Sequence, residues 1–512
     1  MLRTWAWTCV LISIMILVSC RTTGNSRTLY LNSESLVGLD VVPIIEEAIR
    51  SGVKDIRFSS GSFRIESLLE IENAENIRMV GKQSQLNLYS LPSEPGPAII
   101  KLFNVRHVTL KNISLNSNRQ LFTTNRLLHS IFIYNSSHLV FKNINLLNSL
   151  GDGMQIAADV NRQEVLSRDI VIQNCNTTNS LRNGLSLIHC SDIRIDHSSY
   201  NMSNGTPPEA GIDIEPDEDN VRPGVYNVSI KNVEILGNKG NGIAIPYIGV
   251  PENITIEDCD ISQNGSGIYT CGKNISIIGN SISGNSKYGI NSIRYPGYNV
   301  PPDSVLIKSN TITDHQMGIY YRGLGGLITT NTISDTRDEG IELRRETGYV
   351  STAVVSHNKI MNIEGQAAIA SDMDSLEILQ NRIMNCKENG IALHAGINEV
   401  SRNELVNCIG YSILVNDAVG NVVDNTIKSG SNHFIWFNGF EHTKTGGIIE
   451  RNKLCTSKPL EVPYILDTSG RILKYAGNTL KVPDTDKNLV LLKSKPAIFS
   501  DRKDRVKIAN EE

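Results

Sequence analysis

Three short segments carry the residues best suited to acid–base chemistry. The first is Leu150-Gly151-Asp152-Gly153-Met154-Gln155-Ile156 and the second Leu181-Arg182-Asn183-Gly184-Leu185-Ser186-Leu187. The third runs from Asn204 through Glu209-Ala210-Gly211-Ile212-Asp213-Ile214-Glu215-Pro216-Asp217. Asp213 and Glu215 are two residues apart, so on a strand they share a face with Cα atoms about 6.6 Å apart. On successive rungs of a stacked sheet, Asp152 and Asp213 are two rungs apart, roughly 9–10 Å. Inverting glycosidases hold two carboxyl groups about 6.5–9.5 Å apart, one as acid and one to activate water. Asp152, Asp213 and Glu215 are therefore the candidate catalytic residues. Arg182, Asn183 and Glu209 are candidate substrate-binding residues beside them.

Plainer readings stand next to these. Strict alternation from Met154 turns Asp152 inward, where it would be a corner residue bonding nearby backbone N–H groups. Asp213, Glu215 and Asp217 have the oxygen chemistry of a calcium site, with Arg182 one coil away. An acidic loop that simply stays solvated explains the same three residues. The first reading needs no cofactor and assigns no metal ligands; calcium is the one candidate.

The elements that must position these residues follow from two recurring registers. One is an Asn with an aliphatic two residues on: Asn280, Asn310, Asn331, Asn358, Asn381, Asn403, Asn425 and Asn452. The other is Gly followed by an aliphatic, at Gly153, Gly184, Gly211, Gly242, Gly267, Gly289, Gly318, Gly340 and Gly390. Spacings of 22 to 31 residues over the first eight glycines are those of a solenoid or propeller. A leucine-rich repeat shares the Asn register but turns next into a helix. This chain offers Gly-Ile-Asp-Ile, Gly-Ile-Ala-Ile and Gly-Ile-Glu-Leu instead, which are β-branched and alternate with period two. The expected fold is all-β: short parallel strands stacked in coils, aliphatics in inward columns, Asn at corners where left-handed backbone angles and side-chain ladders suit it. The Asn-x-Ser/Thr triplets at Asn253 and Asn274 are then corner residues rather than glycosylation signals. A helix over 40–50, with Asp40 as N-cap and Ile44, Ile45, Ala48 and Ile49 on one face, caps the open end.

Alternation also names the outward columns, the second and fourth residues after each Gly. The second reads Gln155, Ser186, Asp213, Ala244, Tyr269, Asn291, Tyr320, Glu342, Ala370, Ala392, Leu414 and Trp436; the fourth includes Glu215, Arg322, Arg344, Asp372 and His394. Tyr269, Tyr320, Arg322 and Arg344 join the substrate-binding candidates, since aromatic and guanidinium groups on one sheet suit a sugar chain. Any solvated sheet carries such residues as well.

From about Asp40 to about Leu480 the chain resembles the right-handed parallel β-helix proteins of the pectate lyase-like superfamily. Asp152-Gly-Met-Gln-Ile is similar to the Asp-Gly-hydrophobic-x-Ile strand of polygalacturonases, where the Asp is catalytic. That likeness then fails. The family's paired Asp is Arg182-Asn183 here, its Gly-His-Gly is Glu209-Ala210-Gly211, and its Arg-Ile-Lys is absent. The Gly-Asp-Gly, Arg-x-Gly and Gly-Ile-Asp-Ile-Glu-Pro series resembles instead a group of bacterial β-helix lipoproteins linked to polysaccharide use. The resemblance implies a polysaccharide or oligosaccharide partner, and the paired carboxylates favour a glycoside hydrolase. Its alternatives are a glycan-binding or structural β-helix and a calcium-dependent polysaccharide lyase.

Composition bounds these readings. The 512 residues are 40% hydrophobic but 6% aromatic, with 40 Gly, which excludes a disordered chain and a multi-span membrane protein. Forty-nine basic and 53 acidic residues leave a charge of −4, so no nucleic-acid footprint is expected. Arg3 and the apolar run from Trp5 to Val18 read as a signal peptide over 1–19. Leu17-Val18-Ser19-Cys20 resembles a lipobox, which implies lipidation of Cys20 and a membrane-anchored place in the bacterial envelope, facing the periplasm or the surface. A linker over 20–39, one β-helix over 40–480 and a cap strand with tail over 481–512 complete the expected layout. The seven remaining cysteines, without CxxC spacing, fit neither a disulfide framework nor a zinc site and are expected as small buried hydrophobes.

Overall fold

The computed structural model describes residues 20–23, 26–93, 96–124, 126–159, 166–216, 224–246, 251–294, 301–428, 434–439, 445–456, 462–481, 490–493, 498–499 and 506–508. The expected signal peptide lies outside these residues, as do Asp217 and the side chain of Cys20. The chain forms two compact units, Met1–Asp260 and Ile261–Glu512. Each is a parallel β-helix.

In the first unit the Gly-register strands stack in parallel without slippage. Leu69–Glu72, Ala98–Phe103, His129–Tyr134, Met154–Ala157, Leu185–Leu187, Ile212–Ile214 and Asn241–Ile245 pair in that order. Register puts Met154 beside Leu185, Leu185 beside Ile212 and Ile212 beside Ile243. The four side chains form one buried column. The glycines that open these strands leave no room for a side chain. A Cβ on Gly153 would lie 2.2 Å from Thr177 Cγ2 and 2.6 Å from the Gly184 carbonyl oxygen, and one on Gly184 would lie 2.5 Å from the Gly211 carbonyl oxygen. Glycine recurs here because successive backbones approach closely.

Among the described residues the only α-helix is Val42–Arg50, so no helix separates successive strands as a leucine-rich repeat would require. Val41 rather than Asp40 holds the N-cap position, and Asp40 accepts the Val42 N–H at 3.1 Å. Of its expected apolar face, Ile45 is buried and Ile44, Ala48 and Ile49 are half-buried. No helix among the described residues is long and apolar enough to cross a membrane. Cys175, Cys190, Cys259, Cys271, Cys386 and Cys408 are buried and form no disulfide, and Cys455 is half-buried and likewise outside any disulfide.

The second unit shows what the Asn register does. Each Asn is buried, and the left-handed angle falls on the residue before it: Ser309, Thr330, His357, Gln380, Arg402 and Asp424, with φ of 56 to 58°. Asn310 Nδ2 donates to the Ile277 carbonyl and to Asn331 Oδ1, while Asn310 Oδ1 accepts both the N–H and Nδ2 of Asn280. The same pattern continues through Asn358, Asn381, Asn403, Asn425 and Asn452. The ladder was expected; its place inside the coil was not. A buried amide is tolerated there because the coils before and after it together satisfy its donors and acceptor.

Candidate functional site

The first unit gathers five of the sequence-nominated residues. Asp152 sits just before the Met154–Ala157 strand and is fully buried. Its Oδ1 accepts the Asn183 N–H at 3.0 Å, and its Oδ2 accepts Ser186 Oγ at 2.9 Å and Arg182 Nη1 at 3.2 Å. Asn183, also fully buried, turns the other way with its amide. Asn183 Nδ2 donates to Asp213 Oδ2 at 3.0 Å, and its Oδ1 accepts the Ala210 N–H. Arg182 Nη2 lies 3.6 Å from Glu215 Oε2, so one guanidinium spans Asp152 and Glu215.

Two of these placements bear on the sequence reading. Asp152 is fully buried and accepts a backbone N–H, as the corner reading has it, and Asp213, expected to face solvent, is 1% exposed. Asn183 and Ser186 of the preceding coil hydrogen-bond across the face that alternation leaves outward, so an outward Asp213 is covered. Asn183 also fills the space between Asp152 and Asp213. The gap that an inverting pair keeps for water is occupied. Glu215 is the carboxyl that reaches the surface, with its side chain 31% exposed.

Burial pushes the Asp213 carboxyl well above the usual carboxylate range, and the Glu215 charge and a hydrogen bond with Glu215 add to the shift; Arg182 opposes it. Asp213 therefore keeps its proton where an ordinary carboxyl has lost it. His129 is the residue that sequence reasoning missed. Its Nδ1 accepts the Asp152 backbone N–H at 2.9 Å and lies 3.4 Å from Asp152 Oδ2. Burial lowers its pKa, with the Asp152 charge opposing. The signal was present: His129-x-Ile131 matches Asp152-x-Met154 one coil earlier. Ser130 stands there in place of the register glycine, so the column read from glycines begins too late, after three strands that already stack in it.

Glu209 is not free to meet a ligand. It is 5% exposed, at φ 58°, and its Oε1 accepts the Gly205 N–H and lies 2.9 Å from Lys239 Nζ. Burial raises its pKa, but those two partners outweigh that effect and hold it below the usual range.

Tyr269, Tyr320, Arg322 and Arg344 belong to the second unit. Tyr269 is half-buried, with Cys271 Sγ 3.2 Å from its hydroxyl. The Tyr320 ring is half-buried at 6.0 Å from that of Tyr288. Arg322 lies 3.1 Å from the fully buried Glu346, which Arg294 meets at the same distance. Arg344 is paired with Glu342 and Asp372. These guanidinium groups are engaged by the protein's own carboxylates, and Glu346 and Arg294 lay outside both outward columns. Among the described residues, no group of three or more His, Cys, Asp or Glu is arranged to hold a metal ion. The calcium reading also needs Asp217, outside the described residues.

Comparison with known proteins follows the fold. The model of the family described as "Right handed beta helix region" matches residues 100–300 and 297–453. The chain is 26% identical over 406 residues to the "Uncharacterized protein YclG" of Bacillus subtilis (strain 168), covering 69% of this chain and 67% of that one. Among solved structures it is similar to the pre-mature gene product 12 of bacteriophage phi29, with TM-score 0.52 and 12% identity over 87% of this chain and 73% of that one. The N-terminal fragment of the same phage protein gives TM-score 0.52 and 11% identity over 88% and 91%.

Proposed function

The chain belongs to the right-handed β-helix family, and on that scaffold we propose that it acts on a glycan as a glycoside hydrolase whose acid–base group is the Asp213–Glu215 pair. The observation that carries this reading is a buried carboxyl holding a proton against a surface-reaching one, with Arg182 beside both. Perturbed carboxyls of this kind cluster at functional sites.

The roles follow from exposure. Glu215 touches the sugar chain; Asp213, behind it, supplies the proton. As the glycosidic bond breaks, that proton passes to the leaving oxygen, and the water that completes hydrolysis returns one to the pair. Arg182 offsets the charge the pair gains in between. Asp152, Ser186 and Asn183 are positioning residues: Asp152 anchors Arg182, and Asn183 holds Asp213. Two carboxyls in hydrogen-bond contact are one acid–base unit rather than the separated pair of an inverting enzyme.

A non-catalytic glycan-binding role is the second reading, favoured by the full set of bonds on Asp152. A glycan panel decides, reading reducing ends and absorbance at the unsaturated-uronate wavelength for wild type and Glu215→Gln. Reducing ends released by wild type alone support hydrolysis. Unsaturated products indicate a lyase, and saturable binding without turnover supports the second reading. Lipid anchoring at Cys20 and a bacterial envelope location belong to the same proposal. Cys20→Ser should abolish lipid labelling and membrane fractionation; unchanged fractionation would overturn that part.

A further inference from the structure

We propose that the half-buried aromatic row of the first unit, Phe103, Tyr134 and Phe132, is a binding platform for a neutral oligosaccharide whose chain runs across the coils toward Glu215. The proposal rests on the reading of Glu215 as the group that meets the glycan.

Alternation places these side chains on the same outward face as Asp213 and Glu215. Register sets Lys101 beside Phe132, Phe132 beside Gln155, Gln155 beside Ser186 and Ser186 beside Asp213. From Phe132 to Asp213 is three coil steps, about 14 Å, or about three pyranose units. Phe103 and Tyr134 stand side by side in the neighbouring outward column. The Phe103 and Tyr134 rings are stacked at 5.6 Å and 6°, and those of Tyr134 and Phe132 at 5.7 Å and 29°. The row ends on His129, 6.3 Å from Phe132, which bonds the Asp152 N–H. Apolar rings and carboxyl chemistry thus lie on one strip of sheet.

The charges choose the ligand class. Lys101 Nζ lies 5.3 Å from the Phe103 ring centre, but Glu72 at 2.8 Å and Glu70 at 3.4 Å already pair it. That trio carries one negative charge in excess. At the other end Arg182 serves both Asp152 and Glu215. A polyuronate would meet a net negative charge at both ends, whereas a neutral sugar offers C–H faces to rings and hydroxyls to carboxylates.

The test measures binding by the full-length protein carrying Glu215→Gln, with neutral oligosaccharides from disaccharide to about heptasaccharide and with oligouronates of matched length. Adding Tyr134→Ala or Phe132→Ala should weaken binding of the longer neutral chains by about tenfold, with a progressively smaller effect as chains shorten. Tyr134→Leu, which keeps apolar volume but removes the ring, should do the same at unchanged melting temperature. Ring variants that bind every length like their parent overturn the proposal. So do oligouronates bound more tightly than neutral chains, or no binding by either class. Binding that depends on the rings without turnover in wild type would sink the hydrolase reading and leave the platform standing. Turnover indifferent to the rings would do the reverse.

Discussion

The Asn ladder of the second unit and the carboxyl cluster of the first bury polar groups to the same depth for opposite ends. Asn331, Asn358 and Asn381 are each 1% exposed, and each amide is bonded to the next coil and to a backbone carbonyl. Asp213 is equally buried, but it faces the Glu215 carboxyl and keeps a proton it would lose in water. Neutral groups that complete one another make a scaffold. Ionisable groups that do not complete one another store a proton near the surface. Burial alone does not mark a site; unresolved charge does.

That contrast can be broken in four places. The largest effect belongs to Glu215→Gln, which removes the carboxyl that meets the ligand. Turnover should fall about 10²–10⁴-fold, the usual contribution of an acid–base group, with the melting temperature held. Retained turnover would reduce the cluster to buried structure.

Second comes the ladder. Asn358→Ala leaves the Asn331 N–H and Nδ2 without their acceptor, and the Ile328 carbonyl and Asn381 Oδ1 each without the Asn358 Nδ2 donor, which should cost about 3 kcal/mol of unfolding free energy. Denaturant titration measures it. A loss under about 1 kcal/mol would mean the ladder is dispensable.

The third tests linkage. Asp213 has a folded pKa above its unfolded value of about 3.9. Its contribution is therefore fully present below the unfolded value and is lost as pH rises through the folded value. Wild type should lose stability over that rise, by up to about 1.4 kcal/mol per pH unit, while Asp213→Asn does not. Parallel melting curves from pH 4 to 8 for the two proteins would contradict the raised Asp213 pKa.

The smallest effect belongs to the exposed stack Asp335–Asn362–Asn385–Asn407, joined at 3.0 to 3.2 Å. Water replaces these bonds, so Asn385→Ala should change stability by under about 0.5 kcal/mol beyond the loss of its left-handed preference. A loss matching that of Asn358→Ala would erase the distinction between inner and outer stacks.

What the sequence determined by itself was the repeat: Gly-Ile-x-Ile and Asn-x-Ile at spacings near one coil force stacked parallel strands, because aliphatic columns and close backbones propagate from coil to coil. The same periodicity nominated Asp152, Arg182, Asn183, Asp213 and Glu215 together. It could not say which carboxyl reaches solvent. Alternation gives a direction for each Cβ, but exposure depends on whether Asn183 and Ser186 of the coil before lie across Asp213, a contact between residues about 30 positions apart. His129 and the ring row escaped because Ser130 interrupts the glycine register while the coil itself continues. Glu209 and Arg322 carry the right chemistry, yet Lys239 and Glu346 claim them in three dimensions. A repeat is written in local spacing, whereas the charge state and reach of a side chain are set by neighbours that only folding supplies.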